Sequence, residues 1–210
     1  GLRVVAQACA RVGARLLVDA YHAMNVVPFS IPQQGLEDAF VVGGGYKYCQ
    51  LGEGNAFMRL PPNRALRPAI TGWFAEFGDL THEPKPERVS YAKGGDRFAS
   101  GTYDPTANYR AARVFDFFAE QGLTPRLLRE VSQHQMGLLA REFDACEADP
   151  AIIARERSVP LEMLGGFLAL RAPSAGELWR KLRERGVFTD YRGDVLRLGP
   201  APYLSDQQLV

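Results

Sequence analysis

The chain has 210 residues, 46% of them apolar and 23% charged, with a formal net charge of +1 at neutral pH. That length accommodates one substantial hydrophobic core, or one core and a smaller second one. The evenly mixed charge gives no electrostatic basis for binding nucleic acid or an anionic membrane surface. Cys9, Cys49 and Cys146 contain no C-x-x-C pair, so they fit a reducing cytoplasm rather than a disulfide framework. His22, His82 and His134 are too scattered for a zinc or iron motif, and no metal is expected. Arg3, Arg11 and Arg15 interrupt the N-terminal residues, which therefore read as neither signal peptide nor membrane span.

In chain order, residues 2–12 carry apolar side chains at helical spacing, Gly13 stands just past a helix end, and residues 15–19 read as a buried strand. A helix that opens at residue 2 without a preceding strand suggests that the domain begins elsewhere. Asp19 ends the strand, the position at which open α/β sheets place their ligand crevice, although a turn-capping aspartate would look the same. A polar loop around Gln33, Gln34 and Gly35 leads to the most informative stretch, residues 39–48. There a short apolar run ends in Gly43-Gly44-Gly45, followed by Lys47 between Tyr46 and Tyr48, then the turn Gly52-Glu53-Gly54 and a second apolar run at 55–60. Without Cβ atoms, the glycines would let a flat group approach the backbone. An isolated lysine after a strand is ordinarily a solvated cation, but lysine is also the residue that bonds carbonyl cofactors covalently.

Residues 78–101 read as a surface excursion, polar and proline-bearing at 81–88 and loop-like at 92–96. Asp104-Pro105 and Thr124-Pro125 each start a helix, with proline at the first helical position. The first runs to Gly122 with Tyr109, Ala112, Val114, Phe115, Phe117 and Phe118 as its apolar residues, and the second reaches about Ala145. His134, within the second, reads as exposed or interdomain. Beyond Asp149-Pro150, a strand at 165–170, a helix capped by Ser174 and ended by Gly186, strands at 187–191 and 195–198, and a final helix from Ser205 form a small β-α-β-β unit.

The order Asp19-x-x-His22, Tyr46-Lys47-Tyr48, Gly52-Glu53-Gly54, Gly72-Trp73 and the run at 195–203 resembles the class V branch of fold-type I pyridoxal phosphate enzymes, which includes cysteine desulfurases, and most of all kynureninase. The resemblance covers nearly the whole chain. It implies an α/β fold: residues 1–122 as the latter part of the cofactor-binding large domain, 123–145 as a connecting helix and 146–210 as a small C-terminal domain. It further implies pyridoxal 5'-phosphate as cofactor, a small-molecule amino-acid substrate and a homodimer with its site at the interface. The early part of the large domain has no counterpart here, so another chain or segment is expected to supply it.

The resemblance also implies roles. Lys47 would hold the cofactor and later move the substrate's α-proton, Asp19 would keep the pyridine nitrogen protonated, and His22 would lie near the cofactor's phenolic oxygen. Tyr46 and Trp73 would donate to the cofactor phosphate, Trp73 across the dimer interface. Arg197 would grip the substrate carboxylate through parallel hydrogen bonds. Gly101, or Ser100 or Thr102 if the register slips by one, stands where kynureninase has an asparagine for its aromatic substrate, a departure that puts kynurenine itself in doubt. Tyr48 reads as packing. The reaction implied is hydrolytic cleavage of the Cβ–Cγ bond of a γ-oxo amino acid, giving alanine and an acid. A class V aminotransferase or cysteine desulfurase is the alternative, although Cys49 and Cys146 occupy no evident persulfide-carrying loop. A non-catalytic α/β interaction module is a further alternative.

Overall fold

A helix and three strands form the first unit. In the computed structural model, which describes residues 1–62, 66–79 and 90–210, α1 (Leu2–Arg11) precedes β1 (Leu17–Asp19), and Gly13 between them adopts φ 67°. β1 pairs in parallel with β2 (Phe40–Gly44), placing Asp19 opposite Val42, and β2 pairs antiparallel with β3 (Ala56–Arg59). Val18, Ala20, Leu36, Ala39 and Val41 form the core beneath this sheet. Within β1 only Val18 is buried; Leu17 is 60% exposed, so the expectation of a buried strand holds for one face only.

The polar stretch expected as a loop instead contains α2 (Ile31–Gln34). The Ser30 side chain accepts from the Gln33 amide, Pro32 lies in the first turn, and Gly35 closes the helix in the left-handed region at φ 64°. Trp73–Asp79 and Asp96–Phe98 are 3-10 turns. The polar, proline-bearing stretch between them, with His82, lies largely outside the described residues.

α3 (Thr106–Glu120) starts where Asp104 accepts from both the amide and the hydroxyl of Thr106, at 2.9 and 2.6 Å. Its expected apolar face is buried only in part: Ala111 is buried and Val114 packs beside it, while Tyr109, Phe115 and Phe117 are exposed. These aromatics do not fall on one stripe, so a single helix–sheet contact cannot cover them together. Arg110 fastens the helix to the carbonyls of Leu51 and Glu53.

The second unit is better closed. α4 (Pro125–Ala145), capped by the Thr124 hydroxyl, lies against β4 (Ala154–Arg155), β5 (Leu168–Arg171), β6 (Asp190–Arg192) and β7 (Val195–Leu198), ordered β4-β5-β7-β6 and antiparallel throughout. Met136, Ala140, Leu168, Leu170, Ala172, Ala175 and Leu196 form its core, joined by α5 (Ala175–Glu184). Ser174 precedes α5 as expected but makes no side-chain cap bond, whereas Ser205 and Gln208 form a capping box on α6 (Asp206–Leu209). His134 is half exposed and meets Asp206 at 2.8 Å, tying α4 to α6.

Contacts from α4, Tyr48 and His22, whose ring meets that of Phe167 edge-on at 6.2 Å, join the units. Arg129 on α4 donates to the carbonyls of Val26, Leu164 and Glu162 at 3.3, 2.9 and 2.6 Å. The Tyr48 ring packs against Gly166, where an added Cβ would come within 2.5 Å of it.

Candidate active site

The turn after β2 projects Lys47 from the carboxyl end of that strand. Gly45 donates to the Asn55 carbonyl and accepts from the Leu51 amide, both at 2.8 Å, while the Gln50 amide closes on the Lys47 carbonyl at 3.0 Å. The three glycines act differently from the sequence expectation. A Cβ at Gly43 would strike Phe57 at 2.8 Å, one at Gly44 would strike Tyr21 at 2.3 Å, and one at Gly45 would strike Leu51 at 2.3 Å. On those faces the backbone is covered by the chain's own side chains; the glycines seat the lysine turn between Tyr21 and Leu51.

The Lys47 amine lies 2.7 Å from Nε2 of His22, which rises from the turn after β1. Burial, and then the positive charges of Lys47 and Arg197, hold the His22 imidazole below its usual pKa, with the Asp19 carboxylate pulling the other way. A neutral imidazole accepts from the ammonium and so fixes its direction. Tyr46 flanks the same amine, its ring centre 5.3 Å away.

These groups open on a cavity of about 480 Å³ between the two units, within the range of small-molecule sites. Lys47, His22, Tyr46 and Tyr48 form one wall; Phe167 and the β6–β7 hairpin, with Arg197, form the other. Burial raises the Tyr48 phenol above its usual pKa, opposed by Arg197, which agrees with its reading as a packing residue. Arg197 lies over the Phe167 ring at 5.2 Å and is ion-paired with Asp190.

Of the residues expected from sequence, Lys47, His22, Tyr46 and Arg197 therefore share one cavity. Asp19 is not in its lining; its carboxylate accepts from the Tyr21 amide at 2.9 Å, a turn-capping contact, and reaches His22 electrostatically. Trp73 and Gly101 lie elsewhere, beside one another: a Cβ on Gly101 would be 3.5 Å from the Trp73 indole nitrogen. A Cβ on Gly72 would fall 1.4 Å from the Ser100 carbonyl oxygen, so a glycine there sets the position of the adjacent tryptophan. Trp73 is 52% exposed, which leaves its indole open to a second molecule.

Sequence reasoning missed Asp190 and Arg192, both in the cavity wall. The signal was present: a two-residue turn at Gly193-Asp194 pairs residue 192 with 195 and 190 with 197.

No family model matches the chain. An uncharacterised aminotransferase, YcbU, of Bacillus subtilis (strain 168) is 24% identical over 211 aligned positions, covering 99% of this chain and 52% of that protein. Among solved structures, a cysteine desulfurase from Thermococcus onnurineus NA1 superposes with a TM-score of 0.77 at 13% identity, over 99% of this chain and 53% of that one. An alanine–glyoxylate aminotransferase from Nostoc sp. gives 0.64 at 16% identity, over 100% of this chain and 54% of that one. The fold is thus the C-terminal part of the fold-type I pyridoxal phosphate transferase fold. The chain spans about half the length of the relatives it matches.

Proposed function

We propose that the chain is the lysine-bearing part of a pyridoxal 5'-phosphate enzyme of the class V aminotransferase kind, acting on a small amino acid. The observation that carries this is the 2.7 Å contact between the Lys47 amine and a His22 imidazole held neutral, in a cavity whose opposite wall presents Arg197. The donor set in the cavity fits the cofactor: an amine for its aldehyde, an imidazole for its phenolic oxygen and a phenol for its phosphate. When bound, pyridoxal phosphate supplies an electron sink for charge developing at the substrate's α carbon.

The chain's own residues do the rest. Lys47 attaches the cofactor and, once released, takes and returns the α-proton at its amine nitrogen. His22, accepting from Nζ, keeps that nitrogen turned toward the cavity. Asp19 is proposed as the pyridine-nitrogen partner because β1 ends there, beside His22, at the carboxyl edge of the sheet. Tyr46 is proposed as a phosphate donor, and Arg197 as the α-carboxylate anchor. The exposed Trp73, with Gly101 beside it, is assigned to the site of a second copy in a homodimer. A further segment or chain supplies the remaining cofactor contacts.

Hydrolysis of the kynureninase kind is a second reading, favoured by Tyr46-Lys47-Tyr48 and by Gly72-Trp73. Desulfuration is disfavoured by geometry: Cys49 is buried with its thiol pKa raised, Cys146 closes α4 away from the cavity, and no cysteine is among the cavity's lining residues. Incubating the full-length holoenzyme with an amino-acid panel that includes kynurenine separates the readings. Keto acid is the expected product; anthranilate with alanine supports the hydrolase instead. A protein that takes up no cofactor is a non-catalytic module.

A further inference from the structure

Four charged side chains line the cavity: Lys47, Arg192 and Arg197 against Asp190. In the β6–β7 pair Asp190 faces Arg197 and Arg192 faces Val195. Directly opposed residues share a face of the sheet, as do residues two apart on one strand, so Asp190, Arg192 and Arg197 all point to one side. The root of Arg192 lies roughly 6 to 7 Å along the strand from that of Asp190. Arg197 is occupied by Asp190. The Arg192 side chain, in contrast, makes no hydrogen bond or ion pair among the described residues.

An α-amino acid with a neutral side chain brings one carboxylate and one ammonium, no net charge. With Lys47 given to the cofactor in the reading above and Arg197 paired with Asp190, Arg192 is the cation such a ligand leaves unanswered. A second anion on the ligand answers it and gives the open guanidinium a planar partner. We propose that the cavity takes an acidic amino acid, its side-chain anion on Arg192 and its α-carboxylate on Arg197, where it takes the place of Asp190; this rests on the amino-acid reading of the site given above. Like charges gathered in one cleft also raise the local concentration of such a ligand.

The test uses amine-free ligands, which report on the anion sites whether or not chemistry occurs. Calorimetric titration of the purified full-length protein with succinate and glutarate, against acetate and propionate, is expected to show at least about tenfold tighter binding of the dicarboxylates. Arg192→Gln should abolish the difference, and Arg192→Lys should restore part of it. Equal or undetectable binding of the two classes overturns the proposal, as does an Arg192→Gln variant that keeps the dicarboxylate preference. In turnover, Arg192→Gln should raise KM for acidic substrates by about 10 to 100-fold with kcat little changed. Dicarboxylate preference in a protein that takes up no cofactor would defeat the functional reading and leave the anion sites standing. A holoenzyme that prefers neutral amino acids would do the reverse.

Discussion

Around Leu168, Leu170 and Leu196 the four-stranded sheet is packed against α4 and α5, whereas the three-stranded sheet around Val18 and Val41 leaves Leu17, Phe57 and Met58 at 60%, 46% and 44% exposure. The proposed chemical residue, Lys47, stands on the less covered unit, and the proposed anion anchors stand on the better packed one. Reactive-amine placement thus depends on a few close backbone contacts around Gly43–45, while anion placement depends on a conventional core. The two should therefore respond differently to substitution.

The largest effect is expected at the chemistry itself: Lys47→Ala should lower turnover of the holoenzyme by about a thousandfold or more, measured with saturating amino acid. Next, truncation should separate the units. Leu170→Ala removes a side chain only 2% exposed and should cost about 2 to 5 kcal/mol in denaturant unfolding, against within about 0.5 kcal/mol for the exposed Leu17→Ala. Equal costs would erase the distinction drawn between the two sheets. Gly44→Ala, which drives a methyl into Tyr21, should cost about 1 to 3 kcal/mol and reduce cofactor uptake more than Leu170→Ala does.

The smallest effect is a pH slope. Folded His22 titrates below the ordinary histidine value of 6.5, so between the two values the unfolded chain binds more protons. Its contribution to stability is complete above about 6.5 and is lost as pH falls through the depressed folded value. Denaturant midpoints measured across that window should fall more steeply in the parent protein than in His22→Gln. Identical slopes would mean that the imidazole is not held neutral beside Lys47.

Much of this was legible before any coordinates. α4 begins at Pro125 as Thr124-Pro125 foretells, whereas at Asp104-Pro105 the proline is the cap and α3 begins at Thr106; the strand-glycine-lysine stretch marks a turn that presents a lysine. Other features were hidden by the length scale of the signals. α2 is four residues of mixed polarity, too short for periodicity, and shows itself only through its Ser30 and Gly35 ends. The purpose of the glycines could not be read because their neighbours, Tyr21 and Leu51, come from other segments. Asp190 and Arg192 could have been found by counting back from the Gly193-Asp194 turn. Trp73 was recognised by motif, but its assigned role involves a second copy of the chain.

The central claim is that the amine of Lys47 holds the cofactor. Borohydride reduction of the full-length protein saturated with pyridoxal phosphate, followed by peptide mass mapping, tests it most directly. The account predicts a single phosphopyridoxyl mass on the peptide containing Lys47. No adduct, or an adduct on Lys85, Lys93 or Lys181 with Lys47 unmodified, would contradict it.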